Sequence, residues 1–208
     1  MKRLILLLLP LLLADAGTLL AQMPGYRNAP RVRAWRIGIE GGVNVLGGDL
    51  TRESQDYHFR PVGGVELAWV PHRNIAVGVY ASAASLRSTD AERESNAMLY
   101  GGGLLLELRA PLLRGSLFPV LQARAGGVII DPELRIGDVT FEGETSQHMA
   151  YTLAAGFEAI SWRRLGIRLL VGVTYTTTDR LDYLLRGDDN DAYSHATLSL
   201  HYYITGRR

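Results

Sequence analysis

Residues 60–80 read RPVGGVELAWVPHRNIAVGVY. Val65, Leu67 and Trp69 alternate with Gly64, Glu66 and Ala68. After Pro71-His72-Arg73-Asn74 the alternation resumes, with Ile75, Val77 and Val79 set against Gly78, Tyr80 and Ser82. Residues two apart share one face of a strand, so each segment has one apolar face and one mixed face. Proline and asparagine between two such runs make a tight turn. The stretch therefore predicts an antiparallel pair, strands 60–70 and 75–86, with a glutamate at mid-strand opposite the apolar side.

Working outward, the same two-residue period recurs over 34–46, 98–108, 117–129, 148–160, 166–178 and 193–204. In the first of these, Trp35, Ile37, Ile39 and Val43 oppose Arg36, Gly38, Glu40 and Asn44. Only Leu105, inside Leu104-Leu105-Leu106, spoils the alternation. Glutamate or arginine recurs on the mixed face of most segments. A soluble barrel keeps its apolar face inside; mid-strand charges on the other face suit apolar outside and charged inside. Glycines at 38, 42, 64, 78, 103, 126, 156 and 172 share that inner face and leave room for large charged neighbours in a narrow barrel. Connections alternate between long and short, which a closed up-and-down barrel requires. The fold class expected is all-β: an eight-stranded antiparallel up-and-down transmembrane β-barrel with short periplasmic turns and longer outer loops.

The ends fit export. Met1-Lys2-Arg3 precedes an apolar run from Leu4 to Leu13, the pattern of a secretory signal peptide. Cleavage after Ala21 is preferred to cleavage after Ala16, because Asp15 is a poor neighbour for the peptidase. The expected layout is a signal peptide over 1–21, a periplasmic tail over 22–33 and the barrel over 34–206. No later run is long and apolar enough for a membrane helix, so a barrel is the remaining way to satisfy the backbone in lipid. Cysteine is absent, which excludes disulfides and thiolate metal sites. The formal net charge of +1 falls to zero without Lys2, Arg3 and Asp15, so nothing favours nucleic acid as a partner. The expected outer loops, 49–58, 88–97, 131–147 and 179–192, carry a surplus of 11 acidic residues over arginines.

Residues 61–78 resemble the second and third strands of OmpA-like outer-membrane barrels, where an Arg-Asn turn often joins the two. Thr178-Asp179-Arg180-Leu181-Asp182 together with Asp189-Asn190-Asp191-Ala192-Tyr193 is similar to the last outer loop of related barrels. The resemblance implies the small eight-stranded form without a peptidoglycan-binding domain. It also implies outer-membrane lipid and lipopolysaccharide as surroundings, and the barrel assembly machinery as a partner. Similar proteins often finish on an aromatic residue that this machinery reads. Here Tyr202 and Ile204 alternate correctly but Thr205-Gly206-Arg207-Arg208 follow, so the assembly signal is expected to be internal.

Arg36, Glu40, Glu66, Glu107, Arg124, Glu158 and Arg168, with His201, are the candidate lumen charges. Charges in a narrow lumen must pair, because an isolated buried ion costs several kcal/mol. Two readings stay open, a plug of salt bridges and a gate whose pairs exchange to open a low-conductance pore. Trp35, Trp69, Trp162 and Tyr202 are expected at the periplasmic rim, with Tyr57, Tyr100, Tyr151, Tyr175 and Tyr193 nearer the outer rim, as two aromatic girdles. A lipid-A-modifying enzyme would need a nucleophile with a base beside it. Ser146 with His148, and Ser194 with His195, are the close pairs, and neither has an evident third partner. Asp182, Asp188, Asp189 and Asp191 are oxygen ligands suited to calcium, but their spacing fits no calcium loop and solvated acidic loops are the simpler reading. No cofactor or metal and no catalytic residue is expected. The role expected is structural or surface-interacting, with contacts through the acidic loops. The soluble alternative is a periplasmic binding barrel.

Overall fold

The computed structural model describes residues 33–46, 58–89, 93–110, 117–136, 139–161, 164–178 and 192–205. The strands are β1 Ala34–Leu46, β2 Arg60–His72, β3 Ile75–Thr89, β4 Arg93–Arg109, β5 Leu117–Ile136, β6 Val139–Glu142, β7 Ser146–Ser161, β8 Leu165–Thr176 and β9 Ala192–Thr205. All pairings are antiparallel. The chain runs up and down through β1, β2, β3, β4, β5, β7, β8 and β9, and β9 returns to β1 from Ala34↔Thr205 to Leu46↔Tyr193. That last pairing closes an eight-stranded barrel and leaves its wall without an edge. β6 stands apart from the wall and pairs with the last four residues of β5.

Arg73 and Asn74 make the turn between β2 and β3. The register shifts just before it, between Trp69 and His72, where Pro71 has no N–H to give the ladder. This end of the barrel, where β1 begins and β9 finishes, is the turn end; the opposite end is the loop end.

The outer face carries the apolar set. Ile37, Ile39, Val65, Leu67, Val79, Leu104, Leu106, Leu153, Leu169 and Leu200 are all exposed, Leu104 by 69%. The inner face holds three apolar clusters with ionic side chains between and against them, the smallest being Val120, Ala154 and Leu170 on β5, β7 and β8. Ala34, Ala68, Val70, Ala76, Leu105, Phe118, Ile160 and Tyr203 pack toward the turn end. Ala84, Leu86, Ala97, Leu99, Val128, Ile130 and Ala150 pack toward the loop end. Leu105 thus points inward, in step with Glu107. The run of three leucines conceals no change of register; it marks a place where both faces are apolar.

Two of the expected outer loops are partly sheet. β3 and β4 stay paired up to Thr89↔Glu94, and β4 and β5 up to Arg93↔Ile136, so 88–97 and 131–147 are not simply loops. Alternation continues there with the faces exchanged. Pro132, Leu134 and Ile136 share the inner side with Phe141 and Val139, while Asp131, Glu133 and Arg135 occupy the outer side. A search for strands with an apolar outer face stops where that exchange begins.

Gly103 of β4 lies opposite Gly126 of β5, next to the pair Gly102↔Gly127. A Cβ on Gly126 would run into the Gly102 carbonyl and sit 2.7 Å from the Gly103 Cα, whereas one on Gly127 would point into open space. Gly126→Val should therefore cost about 1–3 kcal/mol of stability by overpacking. Gly127→Val, one residue away on the other face, should stay within about 0.5 kcal/mol. Urea unfolding followed by tryptophan fluorescence checks the pair, and equal losses would contradict the packing described.

Candidate functional site

The inner face of β1 sets Arg36 and Glu40 on one side of the strand, and each anchors a cluster. Arg36 donates through Nη1 and Nη2 to the two oxygens of Glu107, 2.8 Å each. Its Nη2 also lies 2.7 Å from Glu66 Oε1. Arg168 donates to Glu107 and, at 2.7 Å, to Glu66. Arg109 donates to Glu107 as well, and its Nη1 donates to the Tyr203 hydroxyl at 2.9 Å. The same hydroxyl donates to Glu158 Oε1 at 2.6 Å. His201 lies between two carboxylates, with Nε2 3.1 Å from Glu66 and Nδ1 3.1 Å from Glu158.

Nearer the loop end, Arg124 donates in a fork to both oxygens of Glu40, 2.6 Å each. Its Nε donates to Gln122 Oε1 at 2.8 Å, and its guanidinium carbon lies 5.0 Å from the Tyr80 ring centre. Arg124 Nη2 is also 3.5 Å from Glu66, which ties the two clusters together. Four guanidiniums therefore meet four carboxylates, and the side chains of Arg36, Glu107, Arg109, Glu158 and Arg168 have no solvent exposure. Taking an ion out of water costs several kcal/mol, which is offset only by close partners with good geometry. Arginine supplies that geometry, since its planar fork bonds two oxygens at once.

Arg36, Glu40, Glu66, Glu107, Arg124, Glu158, Arg168 and His201 all lie in this network. Arg109, Gln122, Tyr80 and Tyr203 belong to it too and do not follow from reading mid-strand charges alone. The signal for two of them was parity: Arg109 is in step with Glu107, and Tyr203 with His201, at strand ends where a rim role was the easier reading.

Trp35 and Trp69 are directly opposite one another on β1 and β2, both exposed on the outer face at the turn end. Tyr202 is exposed nearby and accepts a 3.0 Å bond from Arg164 Nη1. Trp162 and Tyr57 lie outside the described residues. Tyr100, Tyr151 and Tyr175 are exposed toward the loop end. Tyr193 is at that height but packs inward against the Leu86–Leu99 cluster, so it is not part of an outer girdle; its parity on β9 is that of His201.

The Ser146 hydroxyl and His148 Nε2 are 3.0 Å apart, and no carboxylate is bonded to His148 among the described residues. Ser194 and His195 are consecutive on β9, so their side chains take opposite faces and form no pair. The aspartates 182, 188, 189 and 191 fall outside the described residues. No group of three or more metal-ligating side chains occurs among those described.

No protein-family model and no curated protein matches the sequence. Solved structures do match in shape. Neisserial surface protein A (NspA) aligns with a TM-score of 0.58 at 8% identity, over 81% of this chain and 96% of that one. Ail, the attachment invasion locus protein of Yersinia pestis, aligns with a TM-score of 0.50 at 12% identity, over 84% of this chain and 100% of that one. These are small eight-stranded outer-membrane barrels, the architecture that the OmpA-like resemblance implies, and at such identities the likeness establishes the fold.

Glu107 is the acceptor shared by Arg36, Arg109 and Arg168. Glu107→Ala leaves three buried cations short of a partner and should cost about 3–5 kcal/mol. Glu144→Ala, at an exposed position, should change stability by less than about 0.5 kcal/mol. Paired urea melts of the two variants measure the contrast.

Proposed function

We propose that the chain is an integral outer-membrane barrel with a structural or surface-interaction role, its lumen plugged by the Glu/Arg network. The observation that carries this reading is the arrangement of the faces: buried ion pairs inside and a continuous band of exposed Leu, Ile, Val and Trp outside. In water such a band is a far larger apolar surface than soluble monomers expose. In a bilayer it is the surface a closed barrel needs, and closure satisfies every backbone group of the wall. The apolar clusters at both ends of the ionic layer support a plug over a pore, because an ion crossing the lumen would leave water at each of them. Lipid and lipopolysaccharide are the partners of the outer face. The assembly machinery inserts the barrel, and acidic segments at the loop end meet any surface partner. With the interior committed to pairing, the reading is non-enzymatic.

Fractionation with a heat-modifiable gel tests location, the expected result being a detergent-requiring band in the outer-membrane fraction that shifts on boiling. A soluble form would favour the periplasmic binding barrel. Bilayer recording tests the plug: wild type, Glu66→Ala and Arg124→Ala should all stay near zero conductance. Steady opening in either variant would favour the low-conductance pore. Leu104→Arg probes the lipid face. It should cost about 2–4 kcal/mol if the position meets the middle of a bilayer, measured by urea unfolding from lipid vesicles.

A further inference from the structure

Of the inward arginines whose side chains are described, Arg60 alone has no carboxylate partner among the described residues. Arg36, Arg109, Arg124 and Arg168 are paired. Arg60, at the start of β2, shares the inner parity of Glu66 and forms no ion pair, and its Nε is buried without a hydrogen-bond partner. Asn44 is opposite Arg60 on β1 and opposite His195 on β9, so three inward side chains form one row across three adjacent strands. Asn44 is 1% exposed, yet neither atom of its side-chain amide has a partner. His195 Nδ1 is buried and unpartnered too, and His58 Nε2, two residues before Arg60, is in the same condition.

Arg60, Asn44 and His195 thus bring buried polar atoms without a protein partner into one row of the inner face at the loop-end mouth. Native interiors rarely leave a buried donor or acceptor without a partner. Among the described residues, the nearby acid does not relieve this lack. Glu40, four residues below Asn44 on the same face, is held in the Arg124 fork. Leu86, Leu99 and Ile130 on the β3, β4 and β5 side of the mouth are apolar. A cation, an amide N–H₂ and an imidazole nitrogen set side by side on one row are a donor set that recognises an oxyanion. His195 also walls a cavity of about 40 Å³ with Val62, Thr197 and the paired Glu40 and Arg124, room for an accompanying water.

We propose that Arg60, Asn44 and His195 form a binding site for a small oxyanion, a phosphate or carboxylate group entering the barrel mouth from the loop end. The site depends on the barrel's inner face and not on its membrane location, so it stands or falls separately from the proposed function.

The test uses the refolded protein in maltoside micelles, which carry no phosphate headgroup. Inorganic phosphate and acetate are titrated separately at constant ionic strength, with the Asn44 side-chain amide and His195 ring signals followed by NMR. Saturable shifts at both residues are expected with at least one of the two probes. Phosphate alone would assign a phosphoryl ligand; acetate as well would admit a carboxylate one. Arg60→Gln should weaken binding at least tenfold. Asn44→Asp supplies the carboxylate that Arg60 lacks and should abolish binding while leaving the barrel heat-modifiable. Two results would overturn the site: no saturable shift with either anion, or undiminished binding in both variants. Equal shifts with chloride at matched ionic strength would do the same.

Discussion

The carboxylate of Glu107 receives three guanidiniums, from Arg36 on β1, Arg109 on β4 and Arg168 on β8. Their side chains have no solvent exposure, so each charge is stable only while the others hold their places. Following the bonds outward reaches Glu66 on β2, Tyr203 and His201 on β9, and Glu158 on β7. Gln122 and Arg124 on β5 and Tyr80 on β3 complete the circuit. All eight strands of the wall thus contribute a side chain to one network. Strand number and stagger set the barrel's diameter; the network ties opposite walls together across it.

The outer face answers to a different solvent. Where β1, β2, β8 and β9 present Ile39, Val65, Val171 and Leu200, the surroundings select hydrocarbon side chains. Beyond Ile129 and Met98 the outer positions become Asp131, Glu133 and Arg135, and the inner ones Pro132, Leu134 and Ile136. The backbone ladder continues unchanged across that exchange. A change of solvent without a change of secondary structure explains it: strand pairing does not depend on which face is wet, but side-chain choice does. The boundary in side-chain character therefore supports the height at which the proposed bilayer would end.

The same distinction explains what could be read from the chain. Alternation such as Val65-Glu66-Leu67-Ala68-Trp69 was legible because two unlike environments act on adjacent residues, and it located all eight strands of the wall. The extensions of β4 and β5 were illegible because Glu94-Ser95-Asn96-Ala97 and Asp131-Pro132-Glu133 have the composition of loops. Leu105 misled because the inner face is itself apolar next to Phe118 and Ile160. The charges at 36, 40, 66, 107, 124, 158 and 168 stood out as ions in otherwise apolar runs. Their pairing did not, since partners such as Arg124 and Glu40 lie 84 positions apart and are joined only by the stagger of the strands. Tyr203 needed the register of β9, and the orphaned Asn44 needed the burial of its neighbours.

A gate and a plug make different demands on such a network. A gate needs charges whose alternatives are nearly equal in energy, with water at hand to receive them as they part. Here most of the arginines bridge two carboxylates: Arg36 joins Glu107 to Glu66, Arg168 joins the same two, and Arg109 lies between Glu107 and Glu158. Moving any one of them strips two carboxylates at once. The core cluster has apolar packing on either side, Phe118 and Ile160 toward one end and Leu99 and Ile130 toward the other. The multiple bridging that makes the cluster tolerable in a dry interior thus opposes its rearrangement. That opposition favours a rigid interior, and it leaves the loop end, where Arg60 Nε has no hydrogen-bond partner, as the part of the barrel proposed to meet something from outside.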